Sequence, residues 1–132
     1  MSLIINKLKS YSDFISLGPV QEKEIAKAES ILSLNFAPEY NEYVKEFGIA
    51  AVNGHEFTGI VSSERLNVVD VTRREWIYNP QVPKSMYVIE NAAIDGIIIW
   101  QDANGDVFQS SPNIQPKIIA SSIVEYLGDE ND

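Results

Sequence analysis

Residues 34–48 read LNFAPEYNEYVKEFG, and this stretch decides the fold. Pro38 suits the first position of a helix, where the missing N–H has no partner to lose. Tyr40, Tyr43, Val44 and Phe47 then recur at i, i+3, i+4 and i+7. That spacing draws one apolar stripe down a short helix over 38–47. Gly48 is expected to stop it as a left-handed cap. Such a helix needs a hydrophobic surface to lie on, so the flanking sequence must supply one.

Upstream, residues 2–11 predict a first helix capped by Ser2, with Ile4, Leu8 and Tyr11 on one side. Gly18-Pro19 opens a second, over about 19–33, whose apolar face is Val20, Ile25, Ala28, Ile31 and Leu32. Glu22 and Glu24 sit in its first turns, where carboxylates offset the helix dipole. Downstream, the Gly-flanked run Gly54–Val61 predicts an edge strand. Asn67 caps a helix over about 68–77, with Val68, Val71, Thr72 and Trp76 on its buried side, and Tyr78-Asn79-Pro80 ends it.

Strands are predicted at Met86–Glu90 and Gly96–Gln101, the second a continuous apolar run of the kind covered on both faces. Asn104-Gly105 signals a hairpin returning through Val107–Gln109. A proline-bearing loop follows (Pro112, Pro116), and Ser122 with Glu125 forms a capping box opening a last helix through Leu127. Helices first, then a meandering sheet and a closing helix, give an α+β class: N-terminal helices packed on a mainly antiparallel sheet with a C-terminal helix. There is no repeat, low-complexity segment or linker, so one domain over 1–132 is expected.

With 45 % hydrophobic and 22 % charged residues the composition is globular. Cysteine is absent, which excludes disulfides and thiolate metal sites. The apolar patch near the N-terminus is broken by Lys7 and Lys9, too short for a signal-peptide core. No run approaches the roughly 18 apolar residues of a membrane span. A cytoplasmic location is therefore the default expectation. The net charge of −9 is uneven: residues 1–89 carry eleven acids against nine bases, residues 90–132 eight acids against Lys117 alone. Such a field repels nucleic acid and anionic lipid, and either keeps the chain soluble or favours a basic partner.

Chemical signatures are weak. His55 is the only histidine; without cysteine only carboxylates could join it on a metal, and no nucleophile stands beside it, so a structural or surface role is expected. Asp102, Asn104 and Asp106 fall at positions one, three and five of a calcium loop, but Val107 then takes the glycine position and Asn113 that of the bidentate glutamate. The calcium reading fails. Scattered carboxylate pairs lack an aromatic-rich cleft signature, and no phosphate loop or nucleophile elbow is present. Arg65, Arg73 and Arg74 are too few for a nucleic-acid stripe and are expected to pair with carboxylates. Trp76 and Tyr78, beside that cluster, are candidates for partial exposure at an interface.

Three segments resemble the SUKH superfamily (the Smi/Knr-like family), in the family's order. Phe36-Ala37-Pro38-Glu39-Tyr40 is similar to its helix-opening motif, Met86–Phe108 to its strand, glycine turn and hairpin, and Ala120–Leu127 to its ending. Ala37 stands where proline is common and Ile123 where an aromatic is usual; both stay apolar. The resemblance implies a binding protein that is not an enzyme and needs no cofactor or metal. Many bacterial members are immunity proteins that neutralise a cognate polymorphic toxin, often a nuclease. The implied partner is a toxin with a basic surface, met by the acidic residues 90–132. Glu90, Asp95, Asp102 and Asp106, expected to cluster around the hairpin, are the candidate contacts, with Trp76 and Tyr78. A regulatory adaptor binding a peptide or small ligand is the alternative.

Overall fold

The computed structural model describes residues 2–128; the acids Asp129, Glu130 and Asp132 lie outside the described residues. The elements run α1 (Leu3–Lys9), β1 (Ile15–Ser16), α2 (Glu22–Leu32), α3 (Pro38–Phe47), β2 (Ala50–Val52), β3 (His55–Phe57) and α4 (Val68–Tyr78). Then follow β4 (Tyr87–Asn91), β5 (Ile98–Gln101), β6 (Val107–Ser111), β7 (Ile114–Ala120) and α5 (Ile123–Leu127). The fold is α+β, with all seven strands antiparallel in one sheet, in sequence order.

Local chemistry explains the helix ends. Ser2 accepts the N–H of Ile5, and Asn67 those of Val69 and Asp70. Ser122 accepts that of Glu125, and each cap leaves fewer orphan donors in a first turn. Glu125 reaches back to the N–H of Ser121, one residue ahead of the cap. That bond holds its carboxyl below the ordinary value.

Helix α3 has the bounds its sequence predicts, and its stripe of Tyr40, Tyr43, Val44 and Phe47 is buried. It meets Tyr87, Ile89, Ile99 and Val107 of the sheet, in a core that α1, α2 and α5 complete with Ile4, Leu8, Ile25, Leu32, Ile123 and Leu127. Each such side chain contributes roughly 1.5–3 kcal/mol on full burial. Ala37 and Ile123 are both buried here, so an apolar side chain of any shape that packs satisfies these positions. A smaller core on the opposite face joins Val71 of α4 to Val82, Met86, Val88, Ile98 and Trp100. With both faces covered, β5 can be apolar from Ile98 to Trp100.

Buried tyrosines bind the layers together through their hydroxyls. Tyr43 donates to the Thr58 carbonyl at 2.6 Å and Tyr40 to Thr58 Oγ1 at 2.8 Å. Thr58 Oγ1 donates to Val88 O, and the Val88 N–H reaches Thr72 Oγ1. Strand β4 outruns β3, paired only through Phe57 and Glu90. The two threonines complete the backbone groups that would otherwise be buried unpaired.

Four expectations are corrected. Gly48 is not a left-handed cap: its φ of 75° and ψ of −69°, with the Ile49 N–H on Phe47 O, make a three-residue γ-turn. The chain there packs so closely that a β-carbon on Gly59 would overlap the Gly48 carbonyl oxygen. The predicted edge strand is interior, because Asn53 and Gly54, both at positive φ, turn β2 into β3. The loop around Pro116 is instead the edge strand β7. Its irregular pairing between Gln109 and Ser111 accommodates the proline, which an edge tolerates because no ladder N–H is required there. Ile31, assigned to the core face of α2, is 47 % exposed.

Candidate functional site

The acidic hairpin is built by its own backbone. Asp102 Oδ1 accepts the N–H groups of Asn104 and Asp106 at 3.0 and 3.1 Å. The Gly105 N–H bonds to the Asp102 carbonyl and the Asp102 N–H to Asp106 O. Residues 103–105 thus form a three-residue loop, with Gly105 at φ 94°. Asp102 and Asp106 are half-buried at its base, and Ala103 and Asn104 are exposed at its tip.

Gln101 fastens this hairpin to the helical face. Its fully buried amide donates to Gly105 O at 3.0 Å and to Glu39 Oε1 at 2.9 Å, and its oxygen accepts from Tyr87 Oη at 2.7 Å. The Ala37 N–H in turn donates to Tyr87 Oη. Burial above all pushes the Tyr87 hydroxyl up, and the charges of Glu39 and Asp102 add to it. Glu39 also accepts the first N–H groups of α5, from Ile123 at 2.7 Å and Val124 at 3.1 Å. The glutamate of the helix-opening motif therefore caps a helix 84 residues away.

A cleft of about 350 Å³ lies beside it, lined by Leu3, Glu39, Glu42, Ser122 and Val124 among others. Glu42 accepts the Ser2 hydroxyl there. Through Gln101 the acidic hairpin is thus joined to Glu39, which lines this cleft with Glu42, two residues that charge counting assigned to the other half of the chain. Nothing local in the sequence marks that union, because the partners meet only through the fold.

The remaining candidates lie elsewhere, which corrects their expected clustering around the hairpin. Asp95 is exposed on the β4–β5 connection, at the opposite end of β5 from Asp102. Glu90 is not on the acidic surface at all, being only 6 % exposed. Its carboxylate accepts from His55 Nδ1 at 3.0 Å and from Tyr126 Oη at 2.6 Å. His55 stacks on Phe57 and meets Tyr126 edge-on. Burial, then the Glu90 carboxylate, pushes the Tyr126 hydroxyl up. This cluster fastens α5 to the β3–β4 pair.

Trp76 and Tyr78 stand on α4, over the smaller core. Trp76 is half-buried and donates Nε1–H to Met86 O, and Tyr78 is exposed. Of the arginines, Arg65 grips Glu56 with two bonds of 2.7 and 3.0 Å and Arg74 meets Glu75 at 3.2 Å. The first pair holds the Glu56 carboxyl below its ordinary value. Arg73 faces a groove between α2 and α4 with Ile31, Trp76, Ile77 and Lys84. Sequence reasoning missed Ile77, although it follows Arg73 at i+4 and shares its face.

Among the described residues no helix is long and apolar enough to cross a membrane, and no group of three or more His, Asp or Glu could hold a metal ion. The family model SUKH_5, described as SMI1-KNR4 cell-wall, matches residues 1–131. A search of curated proteins found no match.

Proposed function

The chain belongs to the SMI1-KNR4 family of the SUKH group, and from that premise we propose that it is an immunity protein, acting by binding and not by catalysis. It neutralises a cognate polymorphic toxin of the nuclease kind, whose basic surface docks on the acidic end. The observation that supports this reading most is the link through Gln101 from the hairpin of Asp102 and Asp106 to Glu39, which lines a cleft with Glu42, in a chain of net charge −9. A nuclease domain must attract phosphates, so its active face is cationic, and an acidic surface competes for it. Opposite fields speed association, and salt screens them. Asp102 and Asp106 are the contacts assigned to this face, while Glu90 serves the fold.

Co-expression with the toxin encoded beside it, scoring cell survival, tests the reading. Wild type should protect. A variant with Asp102→Asn, Asp106→Asn and Glu42→Gln should associate about tenfold or more slower at low salt. An association rate that neither salt nor these substitutions change would remove the electrostatic mechanism. An adaptor that binds a peptide is the second reading, favoured by the exposed Ile77 and Tyr78 beside Trp76.

A further inference from the structure

The apolar groove between α2 and α4 carries a charge opposite to that of the molecule. It encloses about 360 Å³ and is lined by Ile31, Arg73, Trp76, Ile77 and Lys84. A second cleft of about 210 Å³ shares Ile31 with it and adds Lys27, with Glu24 and Asp70 also on its wall. The two clefts adjoin at Ile31 of α2 and are taken together as a trough. Ile31 is 47 % exposed and Ile77 77 %, and the Lys84 ammonium lies 5.9 Å from the Trp76 ring centroid. Contiguous apolar exposure of this kind marks interaction sites. Here the exposed Ile31 and Ile77 sit beside Arg73 and Lys84, in a chain of net charge −9.

We propose that this trough binds a short helical segment of a protein partner, its apolar side chains seated on Ile31, Trp76 and Ile77 and its acidic side chains facing Arg73 and Lys84. An amphipathic helix laid in a groove presents anchors at i, i+3 or i+4 and i+7. The eleven-residue α2 is long enough to wall about three turns of such a ligand. Charge decides the occupant. A second copy would bring the same excess of positive charge to this face, Lys27, Arg73 and Lys84 against Glu24 and Asp70, and like charges across an interface are costly. An acid-flanked segment meets opposite charges. This site lies on α4, apart from the acidic end, and it stands whether or not a toxin is neutralised there.

The test uses the full chain as bait for a phage-displayed library of helical peptides about 12–16 residues long, the span of three to four turns. Enriched peptides should pair apolar residues three or four apart with flanking Asp or Glu. The best of them, synthesised with a fluorophore, should bind wild type at least about tenfold tighter than Arg73→Glu/Lys84→Glu and than Ile77→Ser. It should bind Asp102→Asn/Asp106→Asn as tightly as wild type. Ile31→Ser gives the same readout from the opposite wall. All these positions are solvent-accessible, and each variant's melting curve verifies its folding. The proposal is overturned if no peptide is enriched, if the peptide binds wild type and groove variants alike, or if the enriched flanks are basic. Displacement of the peptide by phosphatidylglycerol vesicles would assign the trough to a lipid surface, and would overturn it too.

Discussion

Replacing Glu39 with alanine should detach the C-terminal helix before it unfolds the rest. The substitution removes the acceptor of three donors, the N–H groups of Ile123 and Val124 and the side-chain amide of Gln101. A hydrogen bond to a charged group contributes about 1.5–3 kcal/mol net. Val124 is half-buried and can regain water, so its bond belongs at the low end. Gln101 is fully buried and keeps only Gly105 O as an acceptor, so one of its N–H bonds is orphaned at about 1–3 kcal/mol. These effects overlap, and a total of about 3 kcal/mol is the expectation. For a domain of this size that lowers Tm by about 10 °C. Glu39→Gln keeps one acceptor oxygen and should lose about half as much. Circular dichroism melts give the global loss, and hydrogen exchange at the Ile123 and Val124 amides should accelerate most. A melting point within about 2 °C of wild type for Glu39→Ala would refute the reasoning, as would protection at α5 that is unchanged while the core loosens.

Further outcomes follow from single contacts. Tyr126→Phe deletes the 2.6 Å bond to buried Glu90 and should destabilise the fold by about 1–2 kcal/mol in denaturant titration. Gly59→Ala forces a β-carbon into the Gly48 carbonyl and should abolish the cooperative melt, at a cost above about 4 kcal/mol. Gly54→Ala, with open space but φ of 83°, should cost only about 1 kcal/mol. Burial pushes Tyr40, Tyr43, Tyr87 and Tyr126 above the ordinary tyrosine value of 10.0. The unfolded chain then releases these protons first, so their stabilisation is complete below that value and is lost as pH rises past it. Tyrosinate absorbance should show the four ionising together with alkaline unfolding; a gradual titration with the fold intact would refute this.

The sequence alone settled whatever is fixed by neighbours a few residues apart. The bounds of α3 follow from Pro38, its apolar spacing and a glycine that cannot continue the helix. Ser2, Asn67 and Ser122 cap as read, because a side-chain oxygen reaches only its own first turn. The apolar run of β5 required cover on both faces and received it. The Asn53-Gly54 turn was equally legible, and reading Gly54 as a strand start hid it. Other features depend on partners far along the chain. The two-residue β1 has no signal of its own and exists because Ala50 and Ala51 lie beside it. Strand β7 keeps Pro116 because it occupies an edge, which only the order of the sheet determines. Charge counting put Glu90 on the surface, but pairing with Phe57 turned it beneath His55 and Tyr126. Glu39, a helix opener by sequence, holds α5 only because the fold brings the start of α3 to the start of α5. Ile31 and Ile77 satisfy helical periodicity, yet α2 and α4 leave a trough between them that nothing in the described chain fills. Propensity and caps act over one turn, whereas burial and pairing are set by whatever the folded chain brings alongside.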